Sequence, residues 1–424
     1  MTSVLSKAWH ETWSTFPILV FDGNSRDIFV DRGDPQSIQD HRRKVNSFLN
    51  SVDRTLVRFH HHGFPIKEFS LSMMFFHPQF MPYHIDRWMK IVSQRNDSIK
   101  VLKLELDGIH CRLRSGRFKV DNYYYLPPDV LKAKSITKLE LAGMIRMDKL
   151  FENHRIGFSM LQILSLSRNC SGLEKVKIHD LPKLKSVKVS GPSEIDVDVA
   201  SLEYLHIGND DIKLPCNINI DKCRNLKVFI LGAVSSVFVS NQWLLQTFDK
   251  FPFLERLELI GCVTSESLKI SSFRLKVLSL EGCLEMKEAK IDEPNLESFT
   301  YFGIDRTMPA ISFVNCSDQL EFDAKFSIRS CLDLERLRAF LQNIEPRNVM
   351  PSLTLIMLHG STEIAYNEDV PQDVGVNLPR IKQLDLRVSE ESQEVCVLLV
   401  NGLFWSLRPA VVSLKLKFCS KIFF

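Results

Sequence analysis

The stretch Leu161-Gln-Ile-Leu164-Ser-Leu166-Ser-Arg-Asn169 decides the fold. Apolar residues at its first, fourth and sixth places and Asn at its ninth make the L-x-x-L-x-L-x-x-N/C frame of a leucine-rich coil. Side chains alternate across a strand, so Leu164 and Leu166 point one way and Ser165 the other. The same frame, with other apolar residues in some places, begins at Ile66, Ile99, Ile136, Leu184, Leu202, Leu226, Leu254, Leu275, Leu296, Leu353, Ile381 and Val411. Cys262, Cys283 and Cys419 take the ninth place after Leu254, Leu275 and Val411. Neighbouring frames from Leu161 to Leu226 and from Leu254 to Leu296 stand 18–24 residues apart, one coil each. Every coil adds one strand to a parallel sheet.

What lies between the frames sets the other side of the coils. Val176 and Ile178, then Ile195, Val197 and Val199, then Ile218 and Ile220, then Leu268 and Ile270 alternate with polar residues, which predicts extended returns. Longer gaps hold helices. Ile85, Trp88, Met89 and Val92 follow Pro82 at helical spacing. Leu334, Leu337, Leu341 and Ile344 repeat it before Pro346, and Val395, Leu398, Leu399 and Gly402 repeat it again. The fold class is α/β: a leucine-rich-repeat solenoid with a curved parallel sheet and a mixed helical and extended convex side. It is expected over residues 66–424. Residues 23–65 read as a linker and a helix bearing Ile38, Val45, Phe48, Leu49 and Val52, which caps the first coil because a terminal sheet edge must be covered.

Composition excludes much. With 424 residues and 45% hydrophobic content the chain is neither disordered nor a disulfide-stapled miniprotein. The 54 Lys and Arg nearly balance the 51 Asp and Glu, giving +3, so no footprint for nucleic acid or an anionic membrane is visible. Lys175, Lys177, Lys183, Lys185 and Lys188 alternate mostly with apolar residues and read as solvated strand faces. Ten cysteines form no Cys-x-x-Cys and no Cys/His ligand spacing, so neither zinc nor a redox pair is expected, and free thiols suit a reducing nuclear or cytoplasmic setting. No signal pattern opens the chain and no apolar run reaches the ~20 residues of a spanning helix. His60-His61-His62 reads as a polar loop, since three consecutive residues converge poorly on one ion. Tyr123-Tyr124-Tyr125 reads as packing over a turn. Asp196 and Asp198 share one side of a strand, with no histidine or cleft implied around them. Motifs for nucleotide binding, serine hydrolysis and zinc proteolysis are missing, so neither a cofactor nor an enzymatic reaction is expected.

The frame also names a binding surface. With Leu257 and Leu259 inward, Arg256 and Glu258 face the concave side. The same rule yields Ser186 and Lys188, Tyr204 and His206, Val228 and Ile230, Val277 and Ser279, Ser298 and Thr300, and Gln383 and Asp385. Strands ~4.8 Å apart turn these into a continuous wall for a protein partner. Val228 and Ile230 stand out as apolar residues on an otherwise polar face.

The N-terminus, Thr2-Ser-Val-Leu-Ser-Lys-Ala-Trp9-His-Glu-Thr-Trp13-Ser-Thr-Phe16-Pro17-Ile-Leu-Val-Phe21-Asp22, resembles the second half of an F-box as found in plant F-box/leucine-rich-repeat proteins. Ile66-Lys-Glu-Phe69-Ser-Leu71, His84-Ile-Asp86-Arg87-Trp88, Ile99-Lys-Val-Leu102-Lys-Leu104, Leu126-Pro127-Pro128, Pro294-Asn295-Leu296-Glu297 and the Leu399–Leu416 segment are similar to that family too. The resemblance implies the substrate receptor of an SCF-type ubiquitin ligase. In such a receptor a partial F-box over residues 1–22 meets a Skp-type adaptor through Val4, Leu5, Trp9 and Trp13, the repeats hold the protein to be ubiquitinated, and no catalysis occurs on the chain. The opening helix of an F-box would precede Met1. The alternative is therefore a leucine-rich-repeat scaffold that binds protein with no ligase connection.

Overall fold

A computed structural model describes residues 15–23, 35–75, 81–93, 98–108, 124–127, 130, 133–143, 145–146, 158–167, 175–191, 193–208, 217–232, 237–303, 309–317, 319–328, 331–342, 344–345, 352–357, 381–389 and 411–417. The chain divides into two compact units, one of residues 1–210 with 216–223 and one of residues 211–215 with 224–424.

In the first unit, L-x-x-L-x-L frames become parallel strands whose leucines are buried. The main sheet runs β1 (Ile18–Asp22), β2 (Glu68–Phe75), β3 (Val101–Gly108), β5 (Lys138–Gly143), β7 (Ile163–Ser167), β9 (Ser186–Ser190) and β11 (Tyr204–Gly208). Between them in the chain, β4 (Tyr124–Tyr125) pairs with β6 (Ile145–Arg146), so Tyr124 and Tyr125 form a short strand. The extended returns are real: β8 (Lys175–His179), β10 (Glu194–Asp198) and β12 (Asn217–Asn219) form a second parallel sheet. Val176, Ile178, Ile195 and Val197 of that sheet and Leu164, Leu166, Val187 and Val189 of the main one are buried, so the core lies between two layers.

Two features differ from expectation here. The main sheet begins before residue 66, because Leu19 pairs with Phe69 and Phe21 with Leu71 in β1 and β2. The helix read as a cap is α1 (Pro35–His62), and it joins these two parallel strands, which cannot be linked by a tight turn. Its buried stripe is Leu49, Val52, Leu56 and Phe59. His60, His61 and His62 are its last turn and not a loop, a place where the helix dipole favours positive charge. Gly63 closes the helix at φ 70°, a conformation glycine adopts without a Cβ clash. The predicted helix after Pro82 is α2 (Met81–Ser93), with Ile85, Trp88, Met89 and Val92 all buried. Asp53 of α1 accepts the Trp88 indole N–H at 2.7 Å, and Arg87 and His84 lie 3.7 Å from the same carboxylate.

The second unit repeats the plan. Its main sheet runs β13 (Val228–Gly232), β15 (Arg256–Ile260), β18 (Val277–Glu281), β20 (Ser298–Gly303), β22 (Glu321–Ile328), β24 (Ser352–Met357), β25 (Gln383–Ser389) and β26 (Val411–Lys417). Behind it stand β17 (Ser267–Ser271), β19 (Glu288–Asp292), β21 (Ala310–Phe313) and β23 (Ile344–Glu345), while β14 (Phe238–Val239) pairs with β16 (Val263–Thr264). Two helices serve as returns. In α3 (Asn241–Lys250) the Ser240 hydroxyl caps the Trp243 N–H at 3.1 Å, and α4 (Cys331–Gln342) buries Leu337, Phe340 and Leu341. Ile344 belongs to β23 and not to the helix. The helix expected over Val395–Gly402 lies outside the described residues.

Register corrects two frames. Leu353 and Leu355 pair with Leu384 and Leu386 and Leu353 is buried, so the coil begins three residues earlier, at Met350. The frame at Val411 would set Leu414 opposite Leu384, but Val412 pairs with Leu384 and Leu414 with Leu386, a shift of two residues that leaves Val411 56% exposed. Strand β22 shows no leucine-rich frame because Phe322, Ala324 and Phe326 fill its inward places.

The ninth-place cysteines act across coils. Cys262 Sγ donates to the Leu231 carbonyl and Cys283 Sγ to the Leu259 carbonyl, both at 3.5 Å. Burial pushes the Cys283 thiol up to about 12, so it stays a neutral donor. The residues before them, Gly261 and Gly282, sit at φ 62° and 59°, where a side chain would strain the turn out of the strand.

Candidate functional site

The inward leucines fix what faces out. In the first unit Ser186 pairs with Tyr204 and Lys188 with His206, so the four predicted residues stand in two lines on the open face of β9 and β11. In the second unit Val228, Arg256, Val277 and Ser298 form one line across β13, β15, β18 and β20. Ile230, Glu258, Ser279 and Thr300 form the next. Gln383 and Asp385 hold equivalent places on β25, with the Gln383 amide donating to Asp385 at 2.9 Å.

Exposure along these lines is uneven. Ile230 is only 8% exposed and Ser279 only 4%, so Val228 and Ile230 do not make an open apolar patch and Ser279 is no free contact. The Ser279 hydroxyl donates instead to Glu281 at 3.0 Å, and Arg256 closes on Glu258. Lys188 and Arg256 are exposed, and Tyr204, His206, Val228, Glu258, Val277, Ser298 and Thr300 are half-buried. Burial lowers the His206 pKa, and the Lys188 charge lowers it further. The face carries ion pairs and hydroxyls at strand spacing.

The same alternation, applied to the frames at Ile66, Ile99 and Ile136, places further residues on the face of the first unit. Glu140 holds Lys138 at 2.8 Å and Lys103 at 3.7 Å, and Ser72 donates to Glu105 at 3.0 Å. Glu281, Phe302, Asp323 and Lys325 extend the face of the second unit. The signal for all of these was present in the frames, except on β22.

Other predicted groups resolve differently. Lys175 lies 3.0 Å from Glu194 on the second sheet and Lys185 lies 3.2 Å from Glu203, while Lys188 alone of that stretch stands on the open face. Asp196 does have a histidine beside it: parallel pairing of β8 and β10 brings His179 to 3.0 Å, and Asn219 donates to the other oxygen at 2.9 Å. Asp198 is held by Lys222, so the two aspartates serve separate rungs. Among the described residues no group of three His, Cys, Asp or Glu is arranged to hold a metal ion, and no helix is long and apolar enough to cross a membrane. Val4, Leu5, Trp9 and Trp13 lie outside the described residues.

Residues 195–399 match the family described as At1g61320/AtMIF1, LRR domain, just under half of the chain. Two Arabidopsis thaliana proteins are similar in sequence. The F-box/LRR-repeat protein At3g58930 is 27% identical over 230 residues, covering 52% of this chain and 44% of the relative. The F-box protein At3g60790 is 25% identical over 209 residues, covering 49% of this chain and 36% of the relative. The matched stretch thus spans less than half the length of these relatives.

Parallel coils with buried L-x-x-L-x-L leucines and extended or helical returns define a leucine-rich-repeat protein of the α/β class. The relatives it resembles over about half of its length are plant F-box and F-box/leucine-rich-repeat proteins.

Proposed function

We propose that this chain is the target-recognition part of an SCF-type ubiquitin ligase. Residues 1–22, as a partial F-box, contact a Skp-type adaptor through Val4, Leu5, Trp9 and Trp13, and the open sheet faces hold the protein to be ubiquitinated. The chain itself carries out no reaction and works in the nucleus or cytoplasm. The observation that carries this reading is the pairing of an F-box-like N-terminal sequence with successive coils that place polar and ionic side chains on one face. Partner contact over such a face is concentrated in a few residues, with Arg256 and Tyr204 the residue types that most often dominate.

A second reading keeps the binding face and drops the ligase connection. It is favoured by the match over residues 195–399, whose description is of a repeat domain alone. Co-expression with a plant Skp-type adaptor separates the two. The ligase reading expects a complex that survives gel filtration and is lost in the Trp9→Ala, Trp13→Ala double variant with an unchanged melting profile. No complex with the natural chain supports the scaffold.

A further inference from the structure

Three lysines stand on the described main-sheet strands of the first unit. Lys103 and Lys138 share Glu140, whereas Lys188 faces no carboxylate among the described residues. Its register neighbours are Ser165 on β7 and His206 on β11. Two potential cations therefore sit on adjacent strands, where like charges oppose one another unless an anion joins them.

Next to this pair the sheet has a bare floor. A Cβ on Gly208 would lie 3.4 Å from Ser190 Oγ and 3.5 Å from His206 Nε2, so a hydroxyl and an imidazole nitrogen converge on one small space. An oxygen resting above Gly208, farther out than that Cβ, faces both groups. Lys188 supplies charge, His206 a ring N–H and Ser190 an O–H. Three donors of different kinds match a group with three acceptor oxygens and close to two negative charges better than they match a carboxylate with two oxygens and one charge.

We infer that the floor over Gly208, walled by Lys188, His206 and Ser190, is a site for a phosphoryl group. It deepens the reading of the sheet face as a partner-binding surface and rests on it for one source, a phosphorylated side chain of the partner; the other source is free phosphate. The pKa of His206, held down by burial and by Lys188, is a cost that an anion relieves by favouring the protonated ring.

The test uses the full chain with isotopically labelled histidine, its His206 resonance assigned with His206→Gln. The probes are inorganic phosphate, a capped Gly-phosphoserine-Gly peptide and its unphosphorylated twin. Saturable movement of the His206 signal with a phosphorylated probe and not with the twin is expected. Lys188→Met and Gly208→Ala should each weaken binding about tenfold or more. Gly208 is outside the left-handed region and its Cβ would meet only ordinary contacts, so Gly208→Ala fills the floor without disturbing the fold, which an unchanged melting curve verifies. Peptide binding tighter than phosphate assigns the site to a partner's side chain; phosphate binding as tightly assigns it to the free ion. A still His206 signal with both phosphorylated probes, or full binding by both variants, overturns the inference. Cross-linking of a partner at Thr300 in the second unit would persist in that case, which keeps this failure distinct from failure of the partner-binding reading.

Discussion

Glu293 has no exposed surface and sits in the turn Glu293-Pro294-Asn295 ahead of Leu296. Burial pushes its carboxyl up to about 8, against an opposing pull from the Ser272 backbone. The folded chain therefore keeps Glu293 protonated where an unfolded chain ionises it. Its contribution to stability is fully present below the ordinary carboxyl pKa and is lost as pH rises through about 8. Glu293→Gln, which is neutral at every pH, should be more stable than the natural chain at pH 8, by on the order of 1–3 kcal/mol and with a higher melting temperature, and converge with it at pH 4.5. Thermal melts across that window check it. A constant difference between the two proteins would place the carboxylate in water. Inward positions carry the opposite demand: Leu280→Asp puts an ionised carboxylate among Leu259 and Tyr301 and should cost several kcal/mol, about the penalty for a charge without a partner in a core. Denaturant midpoints equal to the parent's would mean that Leu280 faces out.

Elements show where periodicity was readable and where it was not. Leu-rich frames gave strands from Ile66 to Leu296 because Leu, Ile and Val mark inward places with few alternatives. Strand β1 inserts Leu19 and Phe21, and β22 inserts Phe322, Ala324 and Phe326; aromatic and small residues fill the same volume jointly but hide the repeat. In β24 and β26 a run of apolar residues on both sides of the true start left the phase ambiguous, and only pairing with Leu384 settles it. Apolar stripes mark α2 and α4 in the sequence, whereas α3 is a short helix of ten residues capped by Ser240. Helix α1 is legible as an amphipathic stripe but not as a crossover, since that role depends on the strand before it. Its join to α2 makes a test at this scale. Asp53→Ala leaves the buried Trp88 indole N–H without its acceptor and should cost about 1–3 kcal/mol, whereas Arg87→Ala, at an exposed ion pair, should cost under about 1 kcal/mol. Equal effects in urea titrations would show that the carboxylate serves the arginine and not the indole.

At the scale of the molecule, coils of about the same length are legible in the sequence, and with them the alternation that assigns one side of each strand to the core and leaves the other open. The candidate faces are legible to the same extent: Ser186, Lys188, Tyr204 and His206 stand in register in the first unit, and Arg256, Glu258, Ser298 and Thr300 in the second. What the alternation lacked was depth. It distinguishes two sides of a strand but not how far a side chain is covered, so the burial of Ile230 and Ser279 was invisible to it. It also carries no information on rungs between separate strands, such as His179 with Asp196. The central claim is that partners are held on the open face of the main strands and not on the returns behind them. Photo-reactive residues placed singly at Arg256 and Thr300, on that face, and at Lys269 and Lys290, on the exposed side of β17 and β19, test it in living plant cells. Covalent adducts to another protein from 256 and 300 but not from 269 and 290 are predicted; adducts confined to 269 and 290 would contradict the account.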